Sequence, residues 1–175
     1  MILTVKEVID LPELRNHTES ELTGKLEAIE RMIRAYTNNN FQNRNVRFVA
    51  ESRGDRLLGT SAFLRAGDTI QITQSKVNDG LYVIVEMIGD VIRVNKDLFH
   101  VSENLVTKIE YPPDVKEGVL SLLKWEVENR KKAGIQSETL SRHSVTYITQ
   151  DASNQVMGYP AMLMGFLKPY MKARF

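Results

Sequence analysis

His17, His100 and His143 are the side chains best suited to hold a metal ion or carry a proton near neutral pH, yet their placement favours neither role. Each falls in a different predicted segment, and none belongs to an HExxH pattern or another cluster at ligand spacing. They read as surface or edge histidines. Gly24-Lys25 lacks the upstream glycine of a phosphate-binding loop, and Gly54, Gly59 and Gly67 form no dinucleotide fingerprint between a strand and a helix, so they read as turn glycines. Ser61 and Ser144 are outside any Gly-x-Ser-x-Gly elbow. Glu126 and Glu128 stand two apart on a predicted helix and point to different faces, as solvated carboxylates do and an acid/base pair does not. The chain has no cysteine, which excludes disulfides, thiolate metal sites and thiol nucleophiles and fits a reducing cytoplasm. The expectation is a protein without catalysis, metal or cofactor.

The residues that do ask for a role are apolar. GYPAMLMGFLKPYMKARF, Gly158 to Phe175, reads as a helix from about Pro160 that Pro169 ends, followed by an arm carrying Lys172 and Arg174. Met162, Leu163, Phe166, Leu167 and Tyr170 give it more apolar surface than a short helix buries on itself. Interface cores favour aromatic and Met anchors, which Tyr159, Met162, Phe166 and Tyr170 would supply. Just before it, Ser144-Val145-Thr146-Tyr147-Ile148 alternates as a short edge strand does, behind a tight connection of Ser, Thr and Glu. An edge strand offers free backbone groups to a second copy.

Two helices must position these parts. Thr18-Glu19-Ser20-Glu21 is a capping box, and Leu22, Leu26, Ile29, Ile33 and Tyr36 then recur at helical spacing until Thr37-Asn38-Asn39-Asn40. Thr4-Val5-Lys6-Glu7 repeats the box ahead of a shorter helix stopped at Pro12. Asp114 is placed to cap a second long helix with Val115, Val119, Leu122 and Leu123 on one face, and Gly134 lies beyond its basic end, Arg130 to Lys132. Between the helices, from about Arg44, the period becomes two at Val46 and Phe48, Ile70 and Ile72, LYVIVEMI and VIRV. Asn78-Asp79-Gly80 and Gly89-Asp90 supply hairpin turns, and Pro112 and Pro113 close the block. The reading is a mainly α fold with a β insertion: residues 1–43 and 112–175 form a helical domain of two long antiparallel helices plus a C-terminal strand and helix, and 44–111 a small barrel-like β module.

At 175 residues with 42% hydrophobic content, the chain can bury a core. Its 23 Lys and Arg against 22 Asp and Glu give no bulk reason to expect nucleic-acid or membrane binding. No uncharged apolar run approaches the roughly 18 residues of a spanning helix, and the start lacks a signal peptide's pattern, so a soluble protein is expected.

GIQSETLSRHSVTY together with the terminal GYPAMLMGFLKPYMKARF resembles the signature of tailed-phage head-to-tail connector proteins, also called adaptor or head-completion proteins. The matching positions are Gly134, Ser137, Glu138, Thr139, Leu140, Ser144, Val145, Thr146, Tyr147, Tyr159, Pro160, Leu167, Pro169, Tyr170 and Lys172. The helix from Thr18 to Tyr36 agrees in placement only. The β module departs from shorter members, which join the helices by a simple loop, and its SKVNDGLYVI resembles a small β-barrel module of phage proteins. The resemblance implies a homo-oligomeric ring of twelve copies under the portal, in the virion at the head–tail interface and assembled in the bacterial cytoplasm. DNA would pass through its channel without sequence-specific contacts, and a head-closure, stopper or tail-completion protein would dock beyond it. On this reading Tyr159, Met162, Phe166, Leu167, Tyr170, Lys172, Arg174 and Phe175 bind the portal, and Ser144, Val145, Thr146 and Tyr147 join subunits. The alternative is a monomeric module whose β insertion binds nucleic acid or another protein.

Overall fold

The structure, a computed structural model, describes residues 1–129, 137–140, 143–146 and 154–173, with side chains described for 1–129 and 154–173. It divides into two compact units, Met1–Asn39 with Pro112–Phe175, and Asn40–Tyr111.

The mainly α class with two long helices does not hold. Helix and strand each take about 36%, and three helices, the last of them 3-10, reach seven residues or more. The imbalance comes from strand length. What alternates visibly in the sequence as short runs folds as continuous strands of 17 and 19 residues, because bulges let a strand continue where period two lapses.

In the first unit α1 (Val5–Val8) is a single turn in which the Thr4 amide donates to Glu7 Oε2 at 2.6 Å. A 3-10 turn at Pro12–Leu14 follows. Helix α2 (Glu19–Thr37) opens on the capping box: Thr18 Oγ1 accepts from the Glu21 amide at 3.3 Å, and the Thr18 amide donates to Glu21 Oε2 at 3.0 Å. Leu22, Leu26, Ile29 and Ile33 are buried along one stripe, and Asn38 ends the helix in the left-handed region at φ 50°.

Helix α3 (Pro113–Asn129) begins two residues earlier than a cap at Asp114 implies. Pro113 takes the first position, where its missing N–H costs nothing, and Asp114 is in the first turn instead of capping it. Val115, Val119, Leu122 and Leu123 form its buried face, and the helix packs on α2, on the Pro12–Leu14 turn and on the C-terminal 3-10 helix. Lys124 Nζ meets Glu13 Oε1 at 2.9 Å, and Lys25 Nζ meets Glu126 Oε1 at 3.5 Å.

The second unit is a four-stranded antiparallel sheet of β1 (Gln42–Leu58), β2 (Thr69–Thr73), β3 (Gly80–Ile88) and β4 (Val91–Ile109), in the order β1-β4-β2-β3 with β3 also paired to β4. Strand β4 serves twice: Val91–Val94 pairs with β3, and Leu105–Ile109 pairs with β2. Its pairing with β1 shifts register between Ala50 and Arg56. Leu57, Ile70, Ile72, Ile84, Ile92 and Val106 fill the centre. Gly89, at φ 57°, and Asp90 form the two-residue β3–β4 turn. The β2–β3 connection is longer than the tight turn expected at Asn78-Asp79-Gly80: Ile72 faces Gly80, with Gln74 and Lys76 at positive φ.

Candidate functional site

Hairpin β5 (Ser137–Leu140) with β6 (His143–Thr146) pairs Ser137 with Thr146 and Leu140 with His143. The Ser-Glu-Thr stretch read as a connection is therefore a strand. Ser144, Val145 and Thr146 lie on β6, whereas Tyr147 lies outside the described residues. Among the described residues the hairpin has two strands, so each presents an outer edge.

Two-residue strands β7 (Gln155–Val156) and β8 (Tyr159–Pro160) come next, and their turn, Met157-Gly158, has positive φ at both positions (54° and 82°), as a mirror-image hairpin turn requires. The Ala161 amide closes back on the Asn154 carbonyl at 2.8 Å. The helix expected to end at Pro169 is a 3-10 helix, Ala161–Tyr170, which contains that proline. At the penultimate position the proline forfeits one 3-10 hydrogen bond and interrupts no further turn.

This segment is fastened to its own unit more firmly than a free docking arm would be. Tyr159, Met164 and Leu167 are buried, and the Tyr159 ring lies 5.3 Å from that of Trp125. Phe166 rests on Gly118 so closely that a Cβ at that position would overlap its ring. Tyr170 Oη donates to both carboxylate oxygens of Asp114 at 2.8 Å, and this bond holds the phenol's pKa above its ordinary value. Past the helix, the Lys172 amide donates to the Thr37 carbonyl at 2.8 Å, Asn38 Nδ2 to Ala173 O at 2.8 Å and Asn39 Nδ2 to Tyr170 O at 3.1 Å. The strap thus satisfies carbonyl and amide groups at the C-terminal end of α2.

The expected portal-binding set is accordingly divided. Tyr159 and Leu167 are inside, Phe166 and Tyr170 are half-buried, and Lys172 and Met162 are exposed, the methionine at 78%. Arg174 and Phe175 lie outside the described residues. Of the aromatic and Met anchors expected from the sequence, the ones left fully outward are methionines. Met157 (55%), Met162 and Met171 (51%) are the strongly exposed large apolar side chains of this unit among the described residues.

The second unit holds an arrangement that its sequence does not announce. Asn78, Ser52 and Asn104 are buried together: Asn78 Nδ2 reaches Ser52 Oγ (3.1 Å), Phe99 O (2.9 Å) and Asn104 Oδ1 (3.2 Å), and its Oδ1 accepts from the Phe99 amide at 2.8 Å. Asn104 Nδ2 donates to Ala50 O (3.0 Å) and Ser52 Oγ (3.0 Å). The network sits where the β1–β4 register shifts, satisfying backbone groups that the broken ladder leaves over. It braces Phe99 from behind while the ring stays 70% exposed, as does that of Phe63 on the β1–β2 connection.

His17 and His100 take surface positions. His17 Nδ1 lies 3.5 Å from Glu21, and His100 Nε2 lies 3.0 Å from Glu51, whose pKa is lowered by hydrogen bonds from His100 and then from Arg53. The side chain of His143 is outside the described set. Among the described residues no group of His, Asp and Glu is arranged to hold a metal ion, and no helix is long and apolar enough to cross a membrane. No protein-family model matches the chain, and no curated protein matches it either.

Proposed function

We propose that the chain is a structural connector subunit of a tailed phage, forming a homo-oligomeric ring of twelve copies under the portal. The ring extends the DNA channel and presents a docking surface to head-closure, stopper or tail-completion proteins, without catalysis or cofactor. The carrying observation is the trio Met157, Met162 and Met171, held outward on a segment whose aromatic residues are spent on internal fastening. Unbranched thioether side chains repack against varied surfaces at little cost, which suits a subunit that must dock on a ring of another protein. The C-terminal residues of the resembling family support the same segment as the portal-facing one.

The test is attachment. Wild-type protein mixed with its cognate portal should co-sediment and show a ring in negative stain. Met157→Ser, Met162→Ser and Met171→Ser combined should keep the wild-type far-ultraviolet circular dichroism and lose attachment by tenfold or more. Full attachment by this folded variant would refute the methionine docking face.

Exposed Phe63 and Phe99 favour a second reading, a monomer whose β unit grips nucleic acid or another protein. It requires a monomer in sedimentation and salt-sensitive binding to single-stranded DNA.

A further inference from the structure

We propose that in the assembled ring the C-terminal segment Asn154–Ala173 is exchanged between neighbours, each copy's segment occupying α2 and α3 of the next copy through the contacts it makes within one chain. The inference rests on the ring reading above and names what joins its subunits.

Three observations carry it. First, the segment is a self-contained piece: hairpin β7–β8 and the 3-10 helix are closed on each other by the Ala161–Asn154 bond, so it can move as a unit. Second, its fastenings are discrete. The Phe166 ring seats on Gly118, the Tyr170 hydroxyl on Asp114 and the Lys172 amide on Thr37, and each socket lies on α2 or α3, outside the segment. A copy from another chain would find the same sockets.

Third, the tether is longer than a local return needs. Trp125 and Tyr159 touch, yet residues 130–153 intervene between the end of α3 and the start of the segment. Paired strands β5 (Ser137–Leu140) and β6 (His143–Thr146) bring the chain back beside its own start, since Ser137 faces Thr146. The remaining stretches, 130–136 and 147–153, together span up to about 46–50 Å when extended, against about 10–12 Å for the width of a helix. That length exceeds the width of a helix about fourfold. Exchange makes the same contacts it breaks, and lengthening a closed loop costs little, so high local concentration in a ring favours it.

The chain has no cysteine, which permits a clean trapping experiment. Asn38 and Lys172 are exposed and adjacent through the Lys172–Thr37 bond. Copies carrying Asn38→Cys are mixed with copies carrying Lys172→Cys, assembled, and treated with a short bis-maleimide. Exchange predicts covalent dimers in the multimer fraction, well above either variant alone, whereas the double variant taken as monomer should cross-link only within its chain. Pro113→Cys with Met171→Cys, both exposed and each next in sequence to a partner of the Tyr170–Asp114 bond, gives an independent pair that keeps that bond should the first disturb folding. Multimers whose mixed single variants give no dimer while the double variant still closes within one chain would overturn the exchange and leave the ring reading standing. A protein that forms no multimer alone or with portal would overturn both.

Discussion

At Gly118 the absence of a side chain is what lets the C-terminal segment lie against α3, because any Cβ there would occupy the space of the Phe166 ring. Gly118→Ala should therefore raise helix propensity and still destabilise, by about 1–3 kcal/mol, since overpacking outweighs the roughly 1 kcal/mol that alanine gains within a helix. Thermal unfolding would show the loss, and limited tryptic proteolysis should cut first after Lys172, since Pro169 shields the bond after Lys168. The titrating groups make a second prediction. Glu13 is held below the ordinary carboxylate range by a hydrogen bond from Lys124, Glu21 by the Thr18 amide, and Glu7 by hydrogen bonds from Thr4 that outweigh the opposing effect of burial. Groups with depressed folded pKa values contribute stability above the unfolded value, about 4.3, that is lost as pH falls through the folded ones. Tyr170 works in the opposite direction: its raised value gives stability below the ordinary tyrosine pKa of about 10 that is lost as pH climbs past the folded value. Melting temperature should be flat from pH 6 to 9 and fall on both sides, and Tyr170→Phe should lessen the alkaline fall without touching the acid one, the remainder belonging to Tyr82, whose phenol burial also holds above its ordinary value.

Among the elements, those with local signals were the legible ones. The α2 start was readable because Thr18 and Glu21 need only each other, and the Gly89-Asp90 hairpin because two residues make the turn. What could not be read depends on residues far apart. Asn78 looks like a turn residue in the sequence, yet its amide finds Ser52, Phe99 and Asn104 only after β1 and β4 have paired. The length of β1 was hidden likewise, since RGDR breaks the alternation that Leu57 resumes. In the candidate site, the apolar content of the C-terminal segment was visible, but its division into fastened aromatics with buried Met164 and outward Met157, Met162 and Met171 was not. That division is set by Gly118, Asp114 and Trp125, some forty residues earlier. If the asparagine network is what holds the register shift, Asn104→Ala should leave Ser52, Asn78 and the Ala50 carbonyl short of partners and cost about 1–3 kcal/mol in urea unfolding. A cost below 0.5 kcal/mol would mean that water replaces the amide.

For the molecule as a whole, the β unit begins and ends at one place. Gln42 pairs with Ile109, the Glu110 amide donates to Phe41 O at 2.9 Å, and the rings of Phe41 and Tyr111 lie 4.8 Å apart. Replacing residues 40–111 with a short Gly/Ser linker should therefore leave the helical unit folded and, on the proposed function, able to assemble. A deletion variant that keeps the helical circular dichroism of the first unit and no longer forms rings would place the β unit in the ring contact. The outer edge of β1 argues against that, because exposed Arg44, Arg47, Arg53 and Arg56 and repeated register shifts make it a poor template for another strand.

The joined ends of the β unit also bear on the order in which the chain folds. During synthesis α2 emerges well before α3, and its stripe of Leu22, Leu26, Ile29 and Ile33 must wait for a partner. Were residues 40–111 a random coil, bringing α3 back would close a long loop; with Gln42 already zipped to Ile109, the same meeting closes only a few residues. By the logarithmic dependence of loop closure on length, the difference is about 2–3 kcal/mol of chain entropy. The β unit would act as an intramolecular chaperone for the helices around it. A destabilising change deep in the sheet, such as Ile72→Ala, should then slow refolding of α2 onto α3 although it touches neither helix, while a permanently short linker in its place should restore the rate.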